Sequence, residues 1–415
     1  MRTTVTFRTT LYFTGMTRQW ERAISNAFSF FSSQRWRSNH HFCKTAALIG
    51  CAIWLNGYLR LGGRVAQAQV ASGPASQPVA DERAAAETKR ALARYAQSRL
   101  PAAGAYRGAA LQIQDVSRIE DYKKALDGIA ADGFDTVELV VSARQENGSS
   151  DQIFLDMRLT PTPDQLSALI QHAQEMKLRV VLMPMVLLQE PRGNEWRGNI
   201  KPMAWEDWFD SYRSMAYHYA VIAEQNHVDV LTVGTELVSS ESHEQEWEKT
   251  IAGIRARFHG KLTYSSNWDH YSAVGFWNKL DFIGMNSFWK LGSDSSVSVA
   301  EIESHWHRIQ NDLVAFSTKE GKPLIFLEVG WFSQANAANE PWDYTKDQAL
   351  DVELQRKLYE GFFRSWYGNP NLGGFMIWEW SLGDVPADDK GFSPQNKPAN
   401  KVLSEWLAKP PWVAK

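Results

Sequence analysis

The sequence predicts an α/β protein built on a (β/α)8 barrel, the TIM-barrel fold, behind an N-terminal membrane or export segment and an Ala-rich linker. Three observations carry this. Eight continuous or nearly continuous apolar runs recur from residue 109 onward, as strands buried on both faces require. Stretches with helical periodicity lie between them. No Gly-rich dinucleotide loop follows the first run, which argues against an open doubly wound sheet, a fold that also tends to have fewer strands.

The eight runs are AALQIQDV (109–116), FDTVELVV (134–141), RVVLMPMVLL (179–188), VDVLTVGTEL (228–237), KLTYSSNW (261–268), LDFIGMNSF (280–288), PLIFLEVGW (323–331) and GGFMIWEW (373–380). The intervening helical stretches include RIEDYKKALDGIAAD, TPDQLSALIQHAQEMK, WEDWFDSYRSMAYHYAVIAEQ, EQEWEKTIAGIRARF and KDQALDVELQRKLYEGFFRSW. Several open with Asp, Ser or Thr where a helix N-cap belongs. Eight strands, each followed by a helix, in about 300 residues fit a barrel, placed at residues 108–410.

Ahead of the barrel, residues 1–44 hold Arg2, Arg8, Arg18, Arg22, Arg35, Arg37 and Lys44 against the single acid Glu21. An apolar run follows at 45–61, shorter than the roughly 20 residues a spanning helix needs and suited to a signal-peptide core. Ala66-Gln67-Ala68 offers a small-x-small cleavage site. A cleaved signal, an uncleaved anchor, lipidation at Cys51 and a later start at Met16 all stay open for residues 1–68. Each places the remaining chain outside the cytoplasm, periplasmic or extracellular, with any membrane contact made through this segment alone. Residues 69–107 read as a linker with one exposed helix, Ala80 to Leu100.

Composition narrows the chemistry. Of 415 residues, 44% are hydrophobic and 22% charged, and the net charge is −3, which gives no electrostatic case for a nucleic-acid partner. The only cysteines, Cys43 and Cys51, sit in the leader, so the barrel has no thiol catalysis and no thiolate metal site. A Walker loop, an HExxH helix and a GxSxG elbow are all absent. No metal and no cofactor are expected.

Two carboxylates stand out. The fourth run delivers Glu236 to its C-terminal tip and the seventh presents Glu328. In a barrel the C-terminal strand ends form the active-site face, so the two are expected across one cleft. Neighbouring carboxylates repel, so one holds a proton while the other stays ionised. That is the equipment of a glycosidase: an acid for the departing oxygen and a base or nucleophile for the anomeric carbon. Whether the pair is close enough for a covalent intermediate or spaced for an attacking water is not readable from chain position. Tryptophans also gather where strands end: Trp196, Trp268, Trp289, Trp331, Trp378 and Trp380. Indole faces stack on the apolar C–H faces of sugars, and six at one end point to a carbohydrate cleft. Trp205, Trp208, Trp247, Trp306 and Trp366, on helices, are assigned to the core.

With these residues in view, the barrel resembles the retaining β-glycosidases of clan A, and most closely glycoside hydrolase family 113, the β-mannanases. The resemblance covers about residues 109–408 and rests on WRGNIKP with the helix that follows (196–225), VGTELVSS through SSNWD (233–269), FWNKLDFIGMNSFWKL (276–291) and LEVGW (327–331). It implies Glu236 as acid/base and Glu328 as nucleophile in a retaining double displacement. It also implies a cleft lined by Trp196, Arg197, Asn267, Trp268, Asn286, Trp289, Trp331 and Trp378, acting on a β-linked polysaccharide or oligosaccharide such as β-mannan. Arg144 is a weaker carry-over, as a group steadying the nucleophile. Two departures show. Thr235 precedes Glu236 where many clan members have Asn. Phe288 stands where the sixth strand often brings a tyrosine hydroxyl to the nucleophile, with Asn286 expected to compensate. Glu379, a third acid at the rim, is expected to face away from Trp378 and to be structural. The alternative reading is a membrane-tethered sugar-binding protein that keeps the cleft and has lost turnover.

Overall fold

Strands β1 (Tyr106–Ile113), β2 (Thr136–Gln145), β4 (Arg179–Leu188), β5 (Val230–Thr235), β6 (Lys261–Ser266), β7 (Ile283–Asn286), β8 (Leu324–Val329) and β9 (Leu372–Ile377) pair in parallel, and β9 closes onto β1, which in turn pairs with β2. The result is a closed eight-stranded barrel. This computed structural model describes residues 104–414, all within the second of the chain's two compact units, 95–415. The expected leader, its apolar run 45–61 and the linker helix lie outside the described residues. Among the described residues no helix is long and apolar enough to cross a membrane.

All eight expected strands form. The first starts at Tyr106, two residues ahead of the expected domain edge, and Ala105 N–H donates to the Trp412 carbonyl at 2.7 Å, so the fold reaches past both 108 and 410. A ninth strand, β3 (Ile153–Phe154), adds antiparallel to the end of β2. Its two residues are too few to show a period.

The helices are α1 (Ile119–Ala131), α2 (Pro163–Glu175), α3 (Trp205–Gln225), α4 (Glu244–Arg255), α5 (Val299–Glu320), α6 (Val352–Trp366) and α7 (Pro398–Leu407). Local signals set their ends. Thr162 and Gln165 cap α2 reciprocally with Pro163 in the first turn, and Ser298 with Glu301 does the same for α5. Asp351 accepts from Leu354 N–H at 2.8 Å to start α6. The expectation of a helix after every strand needs one correction: β6 and β7 are joined by two short 3-10 turns, Tyr271–Ala273 and Trp277–Lys279. Phe276 and Trp277 fill the vacated place in the helix layer, Phe276 stacking on Trp247 with centroids 5.2 Å apart.

Alternation along the strands divides the core in two. Ala110, Val140, Val181, Met183, Val230, Ile325, Leu327 and Met376 form a cluster containing no helix residue, which is the barrel interior. The opposite faces pack under the helices in one large cluster. Trp208, Trp247, Trp306 and Trp366 are fully buried there, and Trp205 is partly buried against it.

Candidate active site at the C-terminal rim

The ladder between β4 and β5 covers only Val181↔Val230 and Leu182↔Leu231, so these strands part well before the rim. β5 continues along β6 with a register shift between Thr232 and Thr235. Close packing explains the glycine of GTEL: a Cβ on Gly234 would lie 2.8 Å from both the Trp247 ring and the Tyr212 hydroxyl. Glu236 then turns the chain with φ 51°, a left-handed conformation that costs a non-glycine residue about 1–3 kcal/mol. Hydrogen bonds on both sides hold it. Glu236 N–H donates to the Ser265 carbonyl at 2.8 Å, and Leu237 N–H donates to the Tyr264 hydroxyl at 2.9 Å. Tyr264 in turn donates to Glu241 Oε1 at 2.7 Å, and the second Glu241 oxygen meets His270 Nδ1 at 2.6 Å.

Glu328 reaches the same place by a different device. On β8, Leu324, Phe326 and Val329 pack under the helices and Ile325 and Leu327 face the interior. Strict alternation would send Glu328 outward with Phe326. Register shifts on both flanks of β8, near Asn286 and between Phe326 and Val329, break that alternation and re-aim the carboxyl. The glycine of LEVGW permits the close approach of β9: a Cβ on Gly330 would sit 1.8 Å from the Trp378 carbonyl oxygen.

Asn286 brings the two glutamates together. It is the register partner of Glu328, and its side-chain amide donates to Glu236 Oε1. The other Glu236 oxygen pairs with the Arg197 guanidinium. Glu328 is 3% exposed and its Oε1 has no hydrogen-bond partner in the protein. Burial, and then the charge of Glu236, push the Glu328 carboxyl up to about 8, with Arg197 drawing it back and Glu379 adding to the rise. Glu328 therefore holds its proton at neutral pH.

The other expected residues divide. Arg197, Asn267, Trp268 and Asn286 join the same network: Asn286 Nδ2 also donates to Asn267 Oδ1 at 3.2 Å, and its Oδ1 accepts from Trp268 N–H at 2.8 Å. Trp378 is partly buried above the interior cluster and Trp289 partly buried against Trp268. Trp196 is 39% exposed, its indole folded over Gly198 on the loop that carries Arg197. Trp331 belongs elsewhere. It is fully buried against Trp306, Tyr359 and Phe362 and has no face for a sugar, because its side chain follows the outward side of β8. Trp380 likewise packs edge-on against Phe134 in the outer core.

Three further expectations are corrected. Asn286 does not stand in for a tyrosine at Glu328; its amide is spent on Glu236. Phe288 is buried, edge-on to Phe392. Arg144 gives Glu328 no hydrogen bond: its Nε has no partner, and its charge bears on Asp156. Glu379 does not face away, because β9 ends at Ile377 and alternation no longer governs; its carboxyl accepts from Gln112 of β1 and its charge is felt at Glu328.

Some residues of the site escaped the sequence. Glu138 lies on β2 between Ala110 and Val181, inside the barrel, with both carboxyl oxygens unpartnered. Burial, then the nearby Glu328, raise it well above its ordinary value. An acid interrupting the apolar FDTVELVV was the available signal. Trp342, 45% exposed, stacks on Trp268 with centroids 5.7 Å apart and planes 21° apart. It lies beyond the last apolar run of its unit, where strand-end reasoning does not reach.

A hollow of about 490 Å³ at the other end of the barrel is lined by Tyr106, Asp229, Lys261 and Asp281. Its Asp281 is tied to Arg255 and to Leu262 N–H, which makes this end a structural clamp.

Comparisons with known proteins agree with the geometry. A family profile described as Glycoside Hydrolase Family 113 matches residues 116–397. The family 113 β-mannanase of Alicyclobacillus acidocaldarius, solved in complex with ManMIm, is 26% identical, with a TM-score of 0.66 over 74% of this chain and 97% of that one. A family 113 β-1,4-mannanase complex is 23% identical at a TM-score of 0.67, over 74% and 99% of the two chains. A family 5 mannosidase of Rhizomucor miehei, at 11% identity, a TM-score of 0.54 and coverage of 74% and 92%, shares the fold. No curated protein matches this chain in sequence.

Proposed function

The chain belongs to glycoside hydrolase family 113 and is a glycoside hydrolase, and from that premise we propose that it cleaves β-linked mannan, or a similar β-linked polysaccharide, by a retaining double displacement. One observation supports the mechanism: Glu236 and Glu328 flank Asn286 at the rim, and the charge of Glu236 helps to raise the Glu328 carboxyl. The β-mannanase names of its structural neighbours support the substrate.

In the first step the Glu328 carboxylate attacks the anomeric carbon, the glycosidic C–O bond breaks, and Glu236 protonates the departing oxygen. The sugar is left as an ester on Glu328. In the second step Glu236 takes a proton from water, the water oxygen attacks the anomeric carbon, and the ester bond breaks. Two inversions restore the starting configuration. The forward step needs a proton on Glu236, whereas burial and the charge of Glu236 favour one on Glu328. Sugar hydroxyls that draw Arg197 toward themselves loosen its hold on Glu236, and the proton can then pass across the pair. Export by the N-terminal segment, as expected from the sequence, would bring the enzyme to a polymer outside the cytoplasm.

Activity on β-mannan, β-glucan and aryl glycosides, with wild type and both glutamine variants, tests the proposal. Glu236→Gln should lose roughly 100- to 10,000-fold in kcat/KM on unactivated mannan, and less on substrates whose leaving group needs no proton. Glu328→Gln should lose turnover on all of them, while both variants still bind oligosaccharide. The first product released by wild type should carry the β configuration. An α product overturns the retaining mechanism. Wild type that binds sugar without cleaving any would establish the sugar-binding alternative.

A further inference from the structure

We propose that Trp342, on the loop after β8, is a sugar-stacking platform for the leaving-group side of a β-linked chain; this deepens the proposed function and rests on Glu236 being the acid that faces the departing oxygen. A chain of contacts leads from the reacting groups to the platform. Glu236 is held by Asn286, Asn286 Oδ1 accepts from Trp268 N–H, and the Trp268 ring stacks under Trp342. Trp268 is itself braced edge-on by Trp289, at 5.9 Å. One face of Trp342 is thus backed by a fixed indole, and the residue is 45% exposed. The departing sugar leaves from the Glu236 side of the cleft, and it is this run of contacts from Glu236 that assigns the platform to that side.

The loop is built to hold this geometry. Lys346 pairs with both Glu340 and Asp343, the carboxylates that bracket Trp342, at 2.9 Å each. The loop's base is closed by the bridge between Gln334 and Leu350 and by Gln348 N–H on Gln334 Oε1 at 2.7 Å. The Ala338 carbonyl accepts from Leu291 N–H at 2.8 Å, tying the loop to the segment after β7. A side chain fixed before binding loses little freedom when a ligand arrives. An amphipathic ring with one backed face suits the apolar C–H face of a pyranose, whose hydroxyls stay in water.

The test compares two substrates of the same sugar. β-1,4-Mannohexaose places sugars on both sides of the scissile bond; β-mannobiosyl fluoride leaves the Trp342 side empty. Trp342→Ala should lower kcat/KM for the hexaose roughly tenfold more than kcat/KM for the fluoride. Trp342→Phe should recover most of the loss. Equal losses on both substrates would make Trp342 a structural prop, and no loss on either would remove the platform; both overturn the proposal. Wild type inactive on both substrates would instead sink the underlying reading of the function, and the platform with it.

Discussion

At the scale of single residues, the raised Glu328 carboxyl makes the sharpest prediction. Glu328 is pushed up to about 8, so its proton is lost as pH rises through that value. Whichever carboxyl holds it, its loss removes the general acid, so kcat/KM should fall on the alkaline side of about 8. Arg197 opposes the rise at Glu328. Arg197→Met should therefore move this alkaline limb to higher pH, besides weakening substrate binding. A limb that stays in place would mean that Arg197 does not act on the pair. The two glutamates were legible because an acid at the end of an apolar run is a sequence event. Which way a ring packs was not: Trp268 and Trp331 both follow strands, yet the bulged β8 sends Trp331 into the outer core. Nor was it visible that Asn286 would serve Glu236, since that depends on which side chains meet across β7 and β5.

At the scale of elements, the turn after β5 is held by its neighbour β6. The Tyr264 hydroxyl accepts from Leu237 N–H and donates to Glu241, and all three groups are buried. Tyr264→Phe strands both partners, which should cost about 1–3 kcal/mol in denaturant unfolding. It should also lower kcat, because Glu236 sits one residue from the lost bond. Tyr219→Phe is the control. The Tyr219 hydroxyl is buried without a partner, so its removal should leave stability unchanged or improved. Equal costs for the two variants would count against the tether. Element existence was well marked in the sequence, and α3 matches its expected stretch from Trp205 to Gln225 because a long amphipathic period ends cleanly there. The β6–β7 connection was less so. Aromatic bulk at Phe276 and Trp277 can fill a helix's place without any helical period.

At the scale of the whole molecule, barrel closure was legible as a count of strands, but the bolt that secures it was not. At the end opposite the active site, Asp135 accepts from Arg107 N–H at 3.1 Å, Arg107 Nε at 2.7 Å and Arg179 Nη2 at 2.5 Å. The two guanidiniums also reach the carbonyls of Gly104, Ala105, Leu407 and Lys409, so one carboxylate joins β1, β2 and β4 to both edges of the folded chain. These partners lie up to 302 residues apart, beyond the reach of any local pattern. Burial alone would raise Asp135, but Arg179 and Arg107 prevail and hold it below its ordinary 3.8. A depressed carboxyl contributes stability above its unfolded value and loses it as pH falls through the folded one. Asp135→Asn leaves two buried guanidiniums, 7% and 8% exposed, without their counter-charge. It should destabilise the barrel by about 3–5 kcal/mol at pH 7. Below pH 3.8 protonation of the unfolded chain begins to erode this advantage, and it is gone once the pH has fallen through the lower folded value, so the gap between the two proteins should narrow steadily. Denaturant midpoints at neutral pH and near pH 3 read this directly, and a gap of the same size at both would show that Asp135 acts through shape and hydrogen bonding, with its charge irrelevant to closure.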